Sequence, residues 1–296
     1  MKRDKARVYT DRKLKELEDE LSREYTRALD ETRKKWDAYM ERHKAKANAL
    51  YEKLLAAERT GKRDAIAKAK EAYQKYLRQI TLGDKKYRDM VARLSSDLAH
   101  VDQAAYRLVN NILPDIYAVN YNSLVEGLPT GYVFGLVDAK TVTNLVMKEL
   151  NLLKDERWNR QRLNSEILQG ILQGESMPKI AKRLEQFVGG NEAAAIRNAR
   201  TAVTYAENQG RMDSMKEAAD MGLIYEKQWI STHDSRTRES HVELDGATAT
   251  LYEPFDNGLM CPGDPTGDGA EVYNCRCTMN RILVGIRKAD GSIQYV

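Results

Sequence analysis

The sequence contains little cysteine, proline or phenylalanine, and no long apolar run. Its 296 residues include 3 Cys, 6 Pro and 3 Phe. The longest apolar runs are a few residues, whereas a membrane-spanning helix needs about 20. An odd number of cysteines argues against a complete disulfide framework, and the first residues lack the apolar segment of a secretory signal peptide. We therefore expect a soluble protein with no membrane contact, whose thiols are reduced when it folds.

Charged residues are abundant and unevenly distributed. They make up 31% of the chain, with a net charge of +4. Residues 1–100 contain 27 Lys and Arg against 18 Asp and Glu, whereas the remaining residues contain 21 against 26. A basic helical half can attract nucleic acid or an acidic protein surface. Because charges of both signs are mixed rather than grouped in blocks, a solvated helix surface is the simpler interpretation.

Residues 1–126 are predicted to form an arm of long helices. Between residues 11 and 59 neither Gly nor Pro occurs, and apolar residues recur with the period of a helix, which predicts one long amphipathic helix. Thr60-Gly61 is a predicted break. Two further helices follow, and the second, over residues 85–111, is expected to kink or end at Pro114. Long helices with one apolar stripe pack on each other or on a partner protein.

Residues 127–222 are predicted to form a helical middle segment. The Gly- and Pro-containing stretch 127–138 indicates a loop at the boundary. Beyond it, Gly189-Gly190 is expected to end one helix, Asn191 to cap the next, and Gly222 to close that helix.

Residues 223–296 are predicted to form a small α+β module. The stretch 223–231 mixes β-branched and aromatic residues and indicates a strand. A short helix closing at Gly246, a second strand, a long loop rich in Gly, Pro and Asp, and a final strand pair with an Asp-Gly turn are expected to follow. The predicted fold is mainly α: long N-terminal helices and a helical middle segment precede a small α+β C-terminal module.

Four polar residues of this module, Asp234, Arg238, His241 and Asp245, are spaced four, three and four positions apart. On a helix this spacing places all four on one face. The face is either a functional cluster or an exposed polar surface with one incidental histidine. Asp234, Arg238 and His241 could supply the acid, base and phosphate-binding cation of a nuclease-like or metal-dependent hydrolase.

Two of the three cysteines, Cys275 and Cys277, flank Arg276. In an extended segment both thiols point the same way, and a disulfide between them would be strained. Such thiols either bind a metal or are buried as small apolar side chains. With His241 and Cys261 they make four candidate zinc ligands, although structural zinc sites favour Cys-x-x-Cys. A nucleophilic Cys beside Arg276 would have only His241 as its base.

The stretches WISTHDSRTRESHVELDG and LMCPGDPTGDGAEVYNCRC resemble the phage Mu F-like family of head morphogenesis proteins, also called minor head or minor capsid proteins. The resemblance covers about residues 168–283 and is specific, because several rare residues occur in one order. The matching positions are Trp229, Asp234, Arg238, His241, Asp245, Gly246, Pro262, Gly263, Asp264, Asn274, Cys275, Arg276 and Cys277. Cys261 departs from the family pattern, where an aromatic residue is common, and this leaves His241, Cys275 and Cys277 as the core of a metal site.

The resemblance implies a structural role in assembly, without a catalytic centre. Relatives are low-copy proteins of the tailed-phage procapsid, associated with the portal vertex and with DNA packaging or delivery. It implies the portal protein and other head proteins as partners, and a location in the virion head after assembly in the bacterial cytoplasm. Weak, non-specific DNA binding by the basic helices is a further expectation. Because the family's domain also occurs fused to toxin modules, an enzyme using the Asp, Arg, His and Cys residues is the alternative.

Overall fold

Long helices dominate the structure, a computed structural model that describes residues 4–142 and 156–296. The described residues are 68% helical, which confirms the predicted mainly α fold. The long helices are α1 (Lys5–Met40), α2 (Lys44–Thr60), α3 (Arg63–Ile80), α4 (Lys85–Asn122), α5 (Glu156–Gln173) and α6 (Met177–Asp220). None of the helices in these described ranges has the length and apolarity needed to cross a membrane.

The predicted single helix over residues 11–59 is two helices in the structure. A 3₁₀ turn at Glu41–His43 separates α1 from α2. The flanking Met40 keeps right-handed helical backbone angles, so the break is a local tightening of the helix rather than a loop. Gly61 ends α2 as predicted, because its φ of 66° lies in the left-handed region that glycine adopts without strain.

Two predicted helix ends are wrong. Helix α4 continues through Pro114, and the residues beside it, Leu113 and Ile116, are buried. Helix α6 likewise continues through Gly189-Gly190, so Asn191 lies inside a helix and caps nothing. An internal proline costs a helix about 3 kcal/mol and a glycine about 1 kcal/mol. Burial of the neighbouring apolar side chains offsets these costs, and sequence periodicity does not report that burial.

The chain forms two compact units that follow packing rather than chain order. The first contains Met1–Asp19, Arg107–Leu150 and Ile196–Val296, and the second contains Glu20–Tyr106 and Asn151–Ala195. The sequence instead predicts three consecutive segments, over residues 1–126, 127–222 and 223–296. Helices are also predicted to resume from Ala139, where the structure has a 3₁₀ turn at Ala139–Thr141. Residues 143–155, which continue this prediction, lie outside the described residues.

The second unit is a set of packed helices. Its fully buried side chains recur at helical spacing and include Leu21, Tyr25, Tyr73, Leu77, Tyr87, Leu94, Leu98, Leu163, Ile167 and Ile171. Polar groups inside it are paired: the Tyr25 hydroxyl donates to Asp102 at 2.5 Å. This burial at one face of each helix is what the apolar stripes predicted.

The first unit contains a four-stranded antiparallel sheet of order β2-β1-β3-β4. The strands are β1 (Leu223–Ile230), β2 (Thr248–Thr250), β3 (Thr278–Arg287) and β4 (Ile293–Tyr295). Short helices α7 (Glu239–Glu243) and α8 (Gly269–Val272) lie in the connections. Register pairs Trp229 with Met279 and Ile230 with Thr278. The end of β1 therefore lies beside the start of β3, which directly follows Cys277.

Among the residues that the structure describes, two apolar clusters of the first unit surround the sheet and its connections. One combines the sheet with α4 and α6 and contains Cys261. The other lies at the end of β1 and contains Trp229, Leu244, Phe255, Leu259, Val272, Cys275 and Cys277. The structure thus separates Cys261 from the other two cysteines.

Candidate functional site

His241 lies between two thiols and a carboxylate. Its Nδ1 atom is 3.7 Å from Cys275 Sγ and 3.5 Å from Cys277 Sγ. Its Nε2 atom is 2.9 Å from Oε2 of Glu271. His241 and both cysteines are no more than 2% exposed. One ring nitrogen therefore faces two sulfur atoms in a buried site, while the other faces a carboxylate.

The aromatic ring of Trp229 covers the imidazole of His241. The ring centroids are 5.1 Å apart and the planes meet at 71°. Phe255 packs on the same indole at 5.2 Å and 84°. Aromatic rings favour such edge-to-face contacts. Trp229 is fully buried, so its motif position is explained by packing around the histidine.

Asn274 turns the chain into the Cys-Arg-Cys segment. Its φ of 61° is the single positive φ of a non-glycine residue in the described ranges, and asparagine tolerates this region better than most residues. Its backbone N–H donates to Thr201 Oγ1 at 2.9 Å, and its side-chain oxygen accepts from Arg200 at 3.2 Å. Helix α6 thus fixes this turn.

Three side chains of α6 hold the segment around the two thiols, two through its backbone and one through a hydroxyl, and none of the three was predicted from the sequence. Thr204 Oγ1 donates to the carbonyl of Cys275 at 2.6 Å. Asn208 donates to the carbonyl of Cys277 at 3.4 Å and accepts the N–H of Met279 at 3.1 Å. Glu207 accepts from the hydroxyl of the residue after Cys277, at 2.6 Å. The helical spacing of Thr204, Glu207 and Asn208, which places them on one side of α6, was the available signal.

The prediction that Asp234, Arg238, His241 and Asp245 share one helical face is wrong. Helix α7 contains only residues 239–243. The Asp234 carboxylate accepts the backbone N–H of the residue two positions on, at 2.9 Å. Short polar side chains that bond the nearby backbone in this way favour turns over helix.

The other polar motif residues hold separate backbone segments. Asp234 binds both terminal nitrogens of the Arg276 guanidinium, and these hydrogen bonds hold the pKa of its carboxyl well below the usual range. Arg238 donates to the carbonyl of Tyr273. Asp245 accepts the N–H of Ser231 at 2.7 Å. Gly246 donates its N–H to the carbonyl of Trp229 at 2.8 Å, which closes the connection between β1 and β2.

The Pro-Gly-Asp motif packs the long loop between β2 and β3 against α6. The Pro262 carbonyl accepts from Asn208 at 3.2 Å. Gly263 has a φ of 81°, and a Cβ there would lie 3.0 Å from the backbone nitrogen of Tyr205. Asp264 is buried and accepts the N–H of Met260 at 2.9 Å. The motif therefore combines a close backbone approach with a buried, fully used carboxylate.

Of the four candidate zinc ligands, the structure brings three together. The donor atoms of His241, Cys275 and Cys277 lie within 4.8 Å of one another, and no fourth His, Cys, Asp or Glu joins this group in the described part of the chain. Cys261 belongs to the other apolar cluster, where burial raises the pKa of its thiol to about 12.

The two neighbouring thiols differ in acidity. The hydrogen bond with Cys277 and burial raise the pKa of Cys275. The hydrogen bond from Cys275, together with the one between Cys277 and His241, lowers the pKa of Cys277. The arrangement of thiol, imidazole and the Glu271 carboxylate also has the order of a nucleophile, base and orienting acid. Because both sulfurs are 2% exposed, a substrate cannot reach them in this conformation.

Comparison with known proteins shows what this region is similar to. Residues 161–280 match the family described as Phage Mu protein F like protein. The chain is 26% identical over 290 residues to Minor head protein GP7 of Bacillus phage SPP1. The aligned region covers 88% of this chain and 92% of the phage protein. No solved structure matches the chain significantly.

A second relative shares only part of its length. The chain is 30% identical over 157 residues to NAD(+)--arginine ADP-ribosyltransferase EFV of Enterococcus faecalis (strain ATCC 700802 / V583), over 52% of this chain. The chain spans 32% of that protein's length. The family match covers the motif from Trp229 to Cys277 and confirms the resemblance seen in the sequence. The chain thus contains a domain at residues 161–280 that matches the Phage Mu protein F like family.

Proposed function

We propose that this chain is a minor head protein of a tailed phage or prophage and acts in head morphogenesis. The observation that carries the proposal is the match with the minor head protein of phage SPP1, because it extends over most of both chains. A match of this extent includes the long helices as well as the motif region. A match confined to the shared domain would be much weaker support for a shared role in the phage head.

The geometry of the motif supports a structural role. Most motif residues hold backbone segments together: Asp245 binds β1, Arg238 binds a loop carbonyl, and Asp264 binds the long loop. The thiols are buried. These contacts stabilise one small α+β region, and a rigid region of this kind suits an assembly protein.

The finer parts of the proposal concern place and partners. We place the protein at the portal vertex, in contact with the portal protein and other head proteins, with a role in DNA packaging or delivery. The positive excess in residues 1–100 supports weak, sequence-independent contact with DNA. The protein would be made in the bacterial cytoplasm and end in the virion head.

A nuclease, hydrolase or toxin is the second candidate function. Cys277, His241 and Glu271 have the order of a nucleophile, a base and an orienting acid, which favours this candidate. The name of the Enterococcus relative favours it too. Against it, the chain spans only 32% of that relative and the sulfurs are buried. Asp234 and Arg238, the other groups a nuclease would use, are bound to Arg276 and to a backbone carbonyl.

Disruption of the gene in the phage or prophage that encodes it tests the assembly role. A stop codon early in the reading frame should lower the yield of infectious particles, and the full chain supplied from a plasmid should restore it. Electron microscopy of the mutant lysate should show defective or DNA-poor heads. Purified procapsids from the complemented strain should contain the chain together with the portal protein. A normal titre and normal heads without the protein would contradict the proposal.

An assay with labelled NAD⁺ and arginine tests for the enzymatic activity named in the Enterococcus relative, and so distinguishes the second candidate from the assembly role. The purified full chain should transfer no ADP-ribose. Transfer above that of a heat-denatured sample would favour the enzymatic alternative.

A further inference from the structure

We infer that His241, Cys275 and Cys277 bind one zinc ion, with a non-protein ligand in the fourth position. This inference does not depend on the head role, since it comes from the donor atoms alone. It assigns the buried thiols of the Asn-Cys-Arg-Cys motif a ligand of defined chemistry.

The distances among the donor atoms fit a tetrahedral ion. Zinc lies about 2.3 Å from thiolate sulfur and about 2.0–2.1 Å from imidazole nitrogen. At tetrahedral angles these bond lengths separate nitrogen from sulfur by about 3.5 Å. The observed separations are 3.5 Å to Cys277 and 3.7 Å to Cys275. The His241 nitrogen therefore already lies at about the separation from each sulfur that zinc requires, and all three donor atoms lie within 4.8 Å of one another.

The chemistry of the donors favours zinc over other abundant cations. Thiolate sulfur and imidazole nitrogen suit zinc, whereas Mg²⁺ and Ca²⁺ prefer oxygen. Cys275 and Cys277 belong to the smaller apolar cluster, and the indole of Trp229 in that cluster packs on His241. An ion bound by these three residues would join helix α7 to the segment before β3.

Glu271 orients the histidine for metal binding. Its carboxylate lies 2.9 Å from Nε2 of His241, and it also accepts a hydrogen bond from Ser240. A proton held on Nε2 leaves the lone pair of Nδ1 directed at the two sulfurs. Metal-binding histidines commonly donate their second N–H to a carboxylate in this way. Two ordinary buried thiols would not require such a partner on the far side of the ring.

The competing explanation is a metal-free hydrogen-bonded cluster. Sulfur and imidazole nitrogen reach similar separations when a thiol donates to the ring. The metal content of the purified protein therefore distinguishes the two explanations. The test uses the full chain, purified under reducing conditions without added metal, and measures zinc by mass spectrometry. We expect one zinc per chain. Replacement by Co²⁺ should give thiolate-to-cobalt charge-transfer absorption and the visible bands of a tetrahedral ion.

The third cysteine provides a matched control. Cys277→Ser should lose the zinc and the charge-transfer band, whereas Cys261→Ser should keep both, since each variant changes one buried thiol. If Cys277→Ser fails to fold, Glu271→Gln tests zinc binding instead, because this variant keeps all three proposed ligands. Loss of this carboxylate should weaken zinc binding by about 10–100-fold in competition with a chelator. Glu243→Gln, an exposed change in the same helix α7, should have no effect.

Three results would overturn the inference. The first is a zinc-free wild type that neither takes up Co²⁺ nor melts at a higher temperature with added Zn²⁺. The second is equal loss of metal in Cys261→Ser and Cys277→Ser. The third is zinc affinity in Glu271→Gln equal to that of Glu243→Gln and the wild type.

Discussion

Glu207 of helix α6 and Arg7 of helix α1 form an ion pair of 2.7 Å. The second Glu207 oxygen accepts from Thr278, and a second Arg7 nitrogen donates to the carbonyl of Arg276 at 2.9 Å. The start of α1 is therefore bound to the segment that contains the paired thiols. Although the family match begins at residue 161, residues 1–19 belong to the same compact unit as the motif.

Glu207→Gln should destabilise the first unit strongly. The Glu207 side chain is 1% exposed, and it lies near the buried guanidinium of Arg211 as well as Arg7. A neutral side chain would remove the buried carboxylate and leave Arg211 only Asp4, and Arg7 only Asp11, as ion-pair partners. Breaking a buried pair costs up to about 3–5 kcal/mol. Urea unfolding followed by circular dichroism measures the change. Glu16→Gln removes two surface ion pairs, to Arg12 and Lys13, whose shared carboxylate is 50% exposed, and should cost far less stability. Equal losses in both variants would contradict this account of the buried pair.

Gly263→Ala should cost more stability than Gly258→Ala. Both glycines have left-handed backbones, with φ of 81° and 80°, which costs a residue with a Cβ roughly 1–2 kcal/mol. Nothing lies near a Cβ at Gly258, whereas at Gly263 the added atom would press on the backbone of Tyr205 at 3.0 Å. We expect an additional loss of about 1–3 kcal/mol from this overpacking. Thermal melting of the two variants compares them directly, and equal melting temperatures would show that the loop does not need this close approach.

The helices could be predicted from the sequence because apolar period and turn residues are local properties. Gly61 ended a helix as expected, since nothing buried opposes its left-handed turn. Pro114 and Gly189-Gly190 did not end theirs, because buried neighbours such as Leu113 and Val188 stabilise the continuous helix. Local rules therefore failed where tertiary packing opposes them.

The site could be predicted as a set of residues, but its geometry could not. The motif named His241 and both cysteines, yet the expected helical face did not form, because Asp234 starts a turn. Glu271, the partner of His241, was missed since it lies thirty positions away on another short helix. Thr204 and Asn208 were missed because side chains that bind backbone carbonyls follow no sequence spacing that identifies their targets.

Lys227 should make stability depend on pH between about 8 and 10. The residue is fully buried, and its ammonium donates to the Met260 carbonyl at 2.8 Å. Burial lowers the pKa of Lys227 to about 8, against about 10.4 in an unfolded chain. As pH rises past 8 the folded protein loses this proton first, so the unfolded state binds more protons and folding is favoured.

Comparison with Lys227→Met measures this effect. From pH 7 to 9.5, the free energy of unfolding of the wild type should rise by about 1–2 kcal/mol relative to the variant. Lys75→Met, which removes an exposed lysine, should show no such difference from the wild type. A constant gap between wild type and Lys227→Met across this range would contradict the lowered pKa.

The basic hairpin, which we define as α2, the turn at Gly61 and α3, should contact DNA. Residues 44–80 contain ten Lys and Arg against four Asp and Glu. At its turn, Arg59, Lys62 and Arg63 are exposed, and no acidic group of the described ranges pairs with them at ion-pair distance. Unpaired cations on one exposed turn can neutralise phosphates and release their counterions. Binding of the full chain to duplex DNA should therefore be independent of base sequence and weaken steeply with salt.

Changing Arg59, Lys62 and Arg63 together to Gln should weaken this binding at low salt. Because each neutralised phosphate contributes about 0.9 to the slope of log K against log salt, the slope should fall by up to about 3. The control changes three other exposed cations to Gln, namely Arg27, Lys34 and Lys44, each paired with a glutamate three positions earlier. Both variants lose the same net charge, so the difference between them reports the turn. Equal weakening in fluorescence-anisotropy titrations would mean that DNA responds only to total charge, and no binding of the wild type at low salt would remove the DNA contact altogether.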